Sequence, residues 1–398
     1  MDDLRETRST ERRRGRRSVT ALSSGLALML LVGALSASAT AAADPIRVDL
    51  ETPIFTNPTA VTNPLFPKST QTQVVQLGTE EGDQLRFEVT QLPKTRFVRW
   101  NGQWIQTRVT HFVAYTNGRL VEVALDFYAQ ADDGSVWYFG EEVDNYKNGV
   151  LANHDGSWLA GRDGPPGMIM PGNPKVGDVY RPENIPGFVF EEATVTAVDL
   201  TVPGPRGPIS GAIHIDVALL GGFSEEKIYA PGYGEFEARV VADGELYNAA
   251  VATPIDALPG AVPGHLRTLS KGATDIFSAA GSRSWRAISV IVKTMTEAWA
   301  GQPPTATHAL LRSQLDDALA ALKKAAAHRS RAEVRQAAIN VGHATLDLRL
   351  RYQPVKFIDK ARLGLWQLQL IVDRAAGDTG AVAGDLVTLG AIEARLKD

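Results

Sequence analysis

The sequence predicts an α+β protein of two domains, with an antiparallel β meander first and an up-and-down helical bundle after it. Two periodicities indicate this division. Apolar residues recur at every second position between residues 72 and 251, and with a helical period after about residue 270. The composition agrees: the 398 residues are 44% hydrophobic and 22% charged, which is typical of a folded chain and unlike a disordered or multi-span membrane protein.

Closely spaced hairpin signals characterise the β half. Asn-Gly pairs occur at 101–102, 117–118 and 148–149, and Asp-Gly pairs at 133–134, 155–156, 163–164 and 243–244. These dipeptides tolerate the positive φ angles of tight hairpin turns, so they favour antiparallel pairing of the strands between them. We expect a curved sheet or a partly closed barrel, with a β-sandwich as the alternative.

The predicted strands alternate between apolar and polar side chains. In residues 85–90 the polar members are Arg86, Glu88 and Thr90, and in residues 121–128 they include Glu122 and Asp126. Antiparallel sheets commonly have one packed face and one wet face. We therefore expect these polar side chains in solvent.

Helical periodicity organises the second half. Apolar stripes predict helices over about 282–300, 305–328 and 331–352, a fourth from about 355, and a last short helix over about 382–396. Pro354 and Gly377 supply stops between them. The connections are short, so successive helices are expected to be antiparallel neighbours in a bundle.

The net charge of the chain changes sign close to where the periodicity changes. Residues 44–264 carry 15 basic and 29 acidic side chains, whereas residues 265–398 carry 19 and 12. A Pro/Gly-rich stretch over 254–264 is typical of a linker, so the chain divides into an acidic β domain over 44–253 and a basic bundle over 265–398. Opposite charges predict intramolecular docking of the two domains, and independent solvated surfaces are the alternative. Neither domain has the basic, aromatic-rich character of a nucleic-acid-binding surface.

The first 43 residues have the pattern of an export signal. Seven arginines lie between residues 5 and 17, an uncharged apolar stretch covers about 19–39, and alanine-rich residues follow. This order predicts a signal peptide over 1–43. The pair Arg16 and Arg17 resembles that of a twin-arginine signal, which makes this export route an alternative to the general one. An uncleaved anchor is the alternative, because the stretch reaches the length of a short span. After cleavage we expect no stable membrane span, and a soluble protein that is secreted, periplasmic or associated with the cell envelope.

No local motif assigns catalysis. The sequence has no phosphate-binding loop, no dinucleotide fingerprint, no HExxH and no GxSxG motif. It contains no cysteine, which excludes disulfides, thiolate metal sites and a cysteine nucleophile. These observations favour a non-enzymatic protein without a cofactor. A hydrolase that uses β-domain carboxylates stays as an alternative, because carboxylate pairs leave no local signature.

A divalent metal site in the bundle is a further alternative. Near the predicted turn between the third and fourth helices, Asp347 and Asp359 come to similar heights, and His308 lies within a turn or two of them. Two carboxylates and an imidazole are suitable metal ligands. Ion pairing is the competing interpretation, because Arg362 follows Asp359 by three residues and Arg351 follows Asp347 by four.

His111, Trp137 and Tyr138 are the candidates for ligand binding in the β domain. His111 lies on the apolar face of its strand, where it is either a core histidine or a group that lines a cavity. Trp137 and Tyr138 belong to an aromatic strand that runs into an acidic corner. The resulting hypothesis is a β domain that binds a small apolar ligand or a protein partner.

The β half also contains a series of distinctive strings, among them FYAQ, DGSVWYFGE and YAPGYG. They lie at Asp126–Gln130, Asp133–Glu141, Gly156–Trp158, Gly167–Pro171 and Ile228–Gly234. Together they resemble a family of uncharacterised bacterial secreted proteins and lipoproteins over roughly residues 55–240. The resemblance implies an envelope location and a β fold. This chain lacks the cysteine that carries the lipid in lipoprotein members, which excludes a lipid anchor. The bundle, around Leu365-Trp366 and Ile371–Asp378, is similar to a C-terminal helical module of other exported bacterial proteins.

Overall fold

The computed structural model describes residues 45–240, 242, 244–303 and 308–397. The predicted signal peptide, residues 1–43, lies outside these residues. Within them, no helix combines the length and the apolar character needed to cross a membrane. The sheet and the helices belong to one compact unit.

Fifteen β-strands lie in the described residues, and all of them join one sheet. In chain order they are β1 (Ile46–Arg47), β2 (Gln73–Glu80), β3 (Asp83–Trp100), β4 (Gln103–Thr116), β5 (Arg119–Gln130), β6 (Val136–Lys147), β7 (Val150–Asn153), β8 (Trp158–Leu159), β9 (Gly167–Met170), β10 (Asp178–Ile185), β11 (Val189–Gly204), β12 (Gly207–Leu219), β13 (Ser224–Ala230), β14 (Gly234–Val240) and β15 (Glu245–Thr253). The strand order is β1-β10-β11-β12-β13-β14-β15-β2-β3-β4-β5-β6-β7, and β8 and β9 both pair with β6. β1 is parallel to β10. The other pairs are antiparallel, so the predicted antiparallel meander is confirmed.

The sheet is open and strongly curved. Among the described strands β1 and β7 form its edges, so the sheet does not close into a complete barrel, and the predicted antiparallel β domain is confirmed. Phe127 and Phe139 of β5 and β6 nevertheless share a hydrophobic core with Ile213 and Ile215 of β12, which lies far away in the strand order. The sheet must therefore fold over on itself to bring these side chains together.

The three Asn-Gly turns form as the sequence predicts. They connect β3 to β4, β4 to β5 and β6 to β7, and both residues of each turn have positive φ, for example 52° at Asn148 and 73° at Gly149. Such angles match the twist of the flanking strands. At Gly149 the glycine has a second role, because a Cβ atom there would overlap the carbonyl oxygen of Gly380 in the last helix.

Six helices follow in the described part of the chain. They are α1 (Gly264–Gly281), α2 (Trp285–Ala300), α3 (Ala309–His328), α4 (Arg331–Arg349), α5 (Val355–Ala376) and α6 (Thr379–Lys397). The helix predicted over about 282–300 is present as α2, but it is not the first helix, because α1 precedes it. The additional helix α1 begins directly after Pro263 and buries Leu266, Leu269 and Ile276. Its glycines weaken the helical signal, and packing of its apolar stripe outweighs that low propensity.

One apolar core extends from the bundle into the sheet. Consecutive helices pack against each other, and α1 also packs against α4. The core of the bundle includes Leu311, Val341 and Ile358, together with Val75 of β2 and Val251 of β15. The bundle therefore covers one face of the sheet.

A buried group of charges joins that face to the helices. We call it the interface network, and its members are Arg86 and Glu88 of β3, Asp347 of α4, Asp359 and Arg362 of α5, and Arg395 of α6. Arg86 donates to both oxygens of Asp347 at 2.6 and 2.8 Å, and Arg362 donates to the same carboxylate at 3.0 Å. Arg395 donates to Glu88 at 3.2 Å and to Asp359 at 2.8 Å. Three carboxylates thus contact three guanidinium groups.

The arginines of the interface network keep two of its acids ionised. Burial by itself raises a carboxyl pKa, but Arg362, Arg86 and Arg395 together hold the pKa of Glu88 well below its ordinary value. Arg86 and Arg362 lower the pKa of Asp347 in the same way, again against burial. The charges of the interface network are therefore matched by contacts within the protein.

The interface network occupies a strand face that the sequence analysis expected in solvent. Arg86, Glu88 and Thr90 do share one face, as their alternation predicts, but the helices cover it. Period two shows which side chains share a face and carries no information on what packs there. The Arg86–Asp347 contact also runs against the net charges of the two halves, since the arginine comes from the acidic half and the aspartate from the basic half.

Candidate functional site

The opposite face of the sheet lines a cavity of about 360 Å³. Side chains of β2 to β6, β9 to β11, β13 and β14 form its wall, together with residues 66–71 ahead of β2. Pockets that bind small molecules commonly measure about 300–1,000 Å³. The curvature of the sheet is what brings strands from both ends of the strand order around this space.

Strand β5 shows why polar side chains reach the cavity. Glu122, Ala124, Asp126 and Tyr128 alternate along the strand, so their side chains point to the same face. The sequence analysis expected the polar members of this series in solvent. They line the cavity instead, because the curved sheet covers this face as the bundle covers the other.

Two carboxylates, Asp126 and Glu141, form what we call the acid pair. They lie directly opposite each other on β5 and β6, a relation that holds Cβ atoms about 4.5–5.5 Å apart. The hydroxyl of Tyr138 donates a hydrogen bond to Asp126 at 3.2 Å. In the described residues, no lysine or arginine nitrogen lies within ion-pair distance of either carboxylate.

The pKa values of both members of the acid pair are raised. Burial raises the pKa of Asp126 to about 7, although Lys68 and Tyr138 act in the opposite direction. Burial, followed by the charge of Asp126, raises the pKa of Glu141 well above its ordinary value. Both shifts have the sign expected for buried carboxylates that lack a cation in contact.

Lys68 reaches the cavity from the loop ahead of β2. The residue is 7% exposed, and its ammonium lies 4.4 Å from the ring centre of Phe66 and 5.6 Å from that of Tyr128. Within the part of the chain that the structure describes, the ammonium has no hydrogen-bond acceptor and no carboxylate within ion-pair distance. Burial lowers its pKa to about 8, and the more distant charges of Asp126 and Glu235 limit the change.

Lys227, the second lysine of the cavity, is fully compensated. Its ammonium lies 3.2 Å from Glu225 and 3.3 Å from Glu235. The hydroxyl of Tyr247 donates to Glu235 at 2.6 Å. The neighbouring carboxylates raise the pKa of Lys227 well above its ordinary value, although its burial alone would lower it. The ammonium of Lys227 is therefore matched by two carboxylates of the protein.

Aromatic rings form the apolar part of the wall. Tyr128 and Tyr138 stack with ring centres 4.8 Å apart, and Phe66 meets Tyr128 edge-on at 4.9 Å. Trp158 packs edge-on against Tyr138 from the core behind it at 5.4 Å. These contacts hold the rings in defined positions. The cavity therefore combines a rigid aromatic wall with separate charged groups.

Of the three predicted ligand-binding residues, Tyr138 lines the cavity. Trp137 points into the core, where its ring nitrogen donates to Ser135 at 2.8 Å. His111 lies on the helix-covered face of the sheet, opposite Thr90. Burial, with a contribution from Arg395, lowers the pKa of His111 to about 3. The structure thus separates His111 and Trp137 from the cavity, because alternate residues of a strand point to opposite faces.

The predicted metal ligands are not brought together as a site. Asp347 and Asp359 are held by arginines of the interface network, and His308 precedes the first turn of α3. Across the described residues, no three His, Cys, Asp or Glu side chains are placed to hold a metal ion. The expected ion pair of Asp359 with Arg362 is present at 3.5 Å, and Arg362 also contacts Asp347 at 3.0 Å, which was not predicted. Asp347 was predicted to pair with Arg351, but its ion pair is with Arg86 of β3 instead.

Sequence reasoning missed most of the residues that give the cavity its character. Asp126 stands at a polar position of an alternating strand, Glu141 follows an aromatic run, and Lys68 and Lys227 are single lysines without a motif. The one available signal was that tyrosines share the polar face of β5 and β6 with carboxylates, which is unusual for a wholly solvated face. Neither a family model, nor a curated protein, nor a solved structure matches this chain.

Proposed function

We propose that the protein is a binding protein that holds a small polar molecule in the cavity of its sheet. The observation that supports this is the acid pair and Lys68 facing one cavity with no charged partner in contact among the described residues. Ionising a buried group without a charged partner costs several kcal/mol, and for this reason the pKa values of the acid pair and of Lys68 shift towards the neutral form. Groups with shifted pKa values also concentrate at functional sites. A ligand of matching charge would offset this cost.

The lining favours a polar ligand over the apolar one that the sequence analysis expected. An apolar molecule would leave the acid pair and Lys68 unpaired and would also remove water from them. The rings of Phe66, Tyr128 and Tyr138 suit an apolar portion of the ligand, in contact with its polar groups. The ligand we propose is therefore small, polar and partly apolar.

We propose further that this binding takes place outside the cytoplasm. The proposal rests on the arginine-rich beginning of residues 1–43 and the apolar stretch that follows. The test is N-terminal sequencing of the protein recovered from the envelope and the culture medium. A mature end near residue 44 is expected, and a protein that keeps its first residues in the cytoplasm would contradict export.

Binding is tested with the full chain by native mass spectrometry and by thermal-shift screening of small polar metabolites. We expect a retained ligand mass or a rise in Tm with at least one compound. Glu141→Gln should weaken that binding. Glu142→Gln is the matched control, because it is the next residue of β6, its side chain is 56% exposed, and it pairs with Arg96 away from the cavity. Equal binding by both variants would contradict the assignment to this cavity.

A carboxylate-dependent hydrolase is the second candidate function, favoured by the acid pair itself. Retaining glycoside hydrolases use two carboxyl groups about 5–5.5 Å apart, one of which has a raised pKa. Glu141, whose pKa is raised well above its ordinary value by burial and by the charge of Asp126, would be the acid, and Asp126 the ionised partner. Incubation with a panel of nitrophenyl glycosides separates the candidates, since only the hydrolase releases nitrophenol and loses that activity in Glu141→Gln.

A further inference from the structure

Two groups of opposite hydrogen-bonding character face the same cavity. The acid pair, with the hydroxyl of Tyr138 beside it, presents oxygen atoms that accept hydrogen bonds. Lys68 presents an ammonium that donates them. Asp126 and Lys68 influence each other electrostatically, yet among the described residues they do not come within ion-pair distance. Both groups line the cavity.

Each of these groups requires the opposite kind of ligand group. A ligand ammonium would donate to Asp126 and Glu141, and charge-assisted hydrogen bonds of this type are the strong ones. A ligand carboxylate would accept from Lys68. Lys227 makes no such demand, because Glu225 and Glu235 already contact it.

Building on the proposed function, we propose that the ligand is a zwitterion, an amino acid or a molecule that carries the same two groups. Its ammonium binds between Asp126 and Glu141, and its carboxylate binds Lys68. Its apolar part packs on the rings of Phe66 and Tyr128.

The other charge classes fit less well. An amine without a carboxylate leaves Lys68 unpaired and adds positive charge beside it. A carboxylate without an ammonium meets the acid pair. A zwitterion satisfies both groups and brings no net charge into the cavity, so the cost of transferring net charge from water is avoided.

The test compares matched compounds on the full chain by isothermal titration calorimetry. Each standard α-amino acid is paired with its decarboxylated amine and with its deaminated acid, for example phenylalanine with 2-phenylethylamine and 3-phenylpropionate. The best amino acid is expected to bind at least about tenfold more tightly than either analogue, which is the smallest effect of one hydrogen bond between charged groups.

Variants locate each ligand group. Lys68→Met should remove the preference for the amino acid over its amine, while binding of the amine is kept or strengthened. Asp126→Asn should weaken the binding of the amino acid and of the amine alike. Lys147→Met and Glu142→Gln are controls at exposed positions of β6 and should leave every affinity unchanged. Circular dichroism and Tm confirm that each variant is folded.

The outcomes separate this inference from the proposed function. The zwitterion proposal is overturned if an amine binds the native chain as tightly as its amino acid. It is also overturned if Lys68→Met still prefers the amino acid over the amine. In both cases the proposed binding function stands. If the chain binds other polar compounds but no amino acid, the zwitterion proposal is likewise overturned and the proposed binding function stands. A chain that binds no compound of the full polar library overturns both.

Discussion

The interface network and the cavity both bury charged side chains, but they differ in how those charges are matched. In the interface network three carboxylates contact three guanidinium groups, and the pKa values of Glu88 and Asp347 are lowered. In the cavity the pKa values of Asp126 and Lys68 shift towards the neutral form. Burial of charge alone therefore does not mark a functional site. The informative difference is that each charge of the interface network contacts an opposite charge, whereas among the described residues neither the acid pair nor Lys68 does.

The largest effect is expected when the interface network loses one arginine. Arg362→Met removes contacts to Asp347 at 3.0 Å and to Glu88 at 3.4 Å and leaves three buried carboxylates with two arginines, an excess of one negative charge. The free energy of unfolding should fall by about 3–5 kcal/mol. Urea denaturation at neutral pH, followed by circular dichroism, measures this change.

A second arginine of α5 provides the control for that experiment. Arg374 is exposed in the last turn of the same helix, so Arg374→Met should cost less than about 1 kcal/mol. A similarly small loss in Arg362→Met would show that the interface network contributes little, and the contrast with the cavity would disappear.

Removing a matched pair should cost less than the two single changes together. Arg86→Met with Asp347→Leu deletes one cation and one anion, and two carboxylates and two arginines are left in the interface network. A double-mutant cycle should give a coupling energy of about 1–3 kcal/mol, because each single variant leaves an uncompensated charge and the double variant does not. Additive losses in urea denaturation would contradict charge matching as the role of this pair.

The acid pair should respond to pH with the opposite sign to the interface network. The ordinary pKa of an aspartate is 3.8, and in the folded protein the pKa of Asp126 is raised to about 7. Between these two pH values the folded state keeps a proton that the unfolded state releases. Its contribution to stability therefore falls as the pH rises from about 4 to 7. Glu88 has a lowered pKa, so its contribution is present above about 4.5 and lost below.

Asp126→Asn isolates the cavity part of that pH dependence. The variant keeps an oxygen that accepts from Tyr138 but carries no charge, so it should be more stable than the native chain at pH 8 by about 1–3 kcal/mol and equal to it near pH 4. Urea denaturation at both pH values measures the difference. Equal stability at pH 8 would mean that water or an ion already satisfies Asp126.

Local features of this fold were predictable from the sequence, and long-range ones were not. The Asn-Gly turns, the sharing of a face by Glu122 and Asp126, and the β-then-α order depend on neighbouring residues, and each is confirmed. What covers a face depends on residues far away in the chain. Glu88 is buried by Arg362 and Arg395, which lie more than 270 residues later.

The candidate site could not be predicted from the sequence for the same reason. Asp126 alternates with apolar residues just as a solvated aspartate would, and Lys68 lies in a loop without a motif. Only the curvature of the sheet brings them to one cavity with Tyr138. His111, which stands among apolar residues, was the more conspicuous candidate, and it faces the helices. A conspicuous residue marks local character, whereas a site requires several elements to meet.

The smallest effect is expected at an exposed ion pair, which serves as the reference for both buried regions. Lys293 and Glu297 stand one turn apart on α2 at 3.8 Å, with side chains 76% and 67% exposed. Water solvates both partners whether or not they meet, so Lys293→Met should change the free energy of unfolding by no more than about 0.5 kcal/mol, and less at high salt. Urea denaturation in low and high salt tests this. A loss comparable to that of Arg362→Met would mean that any ion pair of this protein is strongly stabilising, and burial would then no longer distinguish the interface network from the surface.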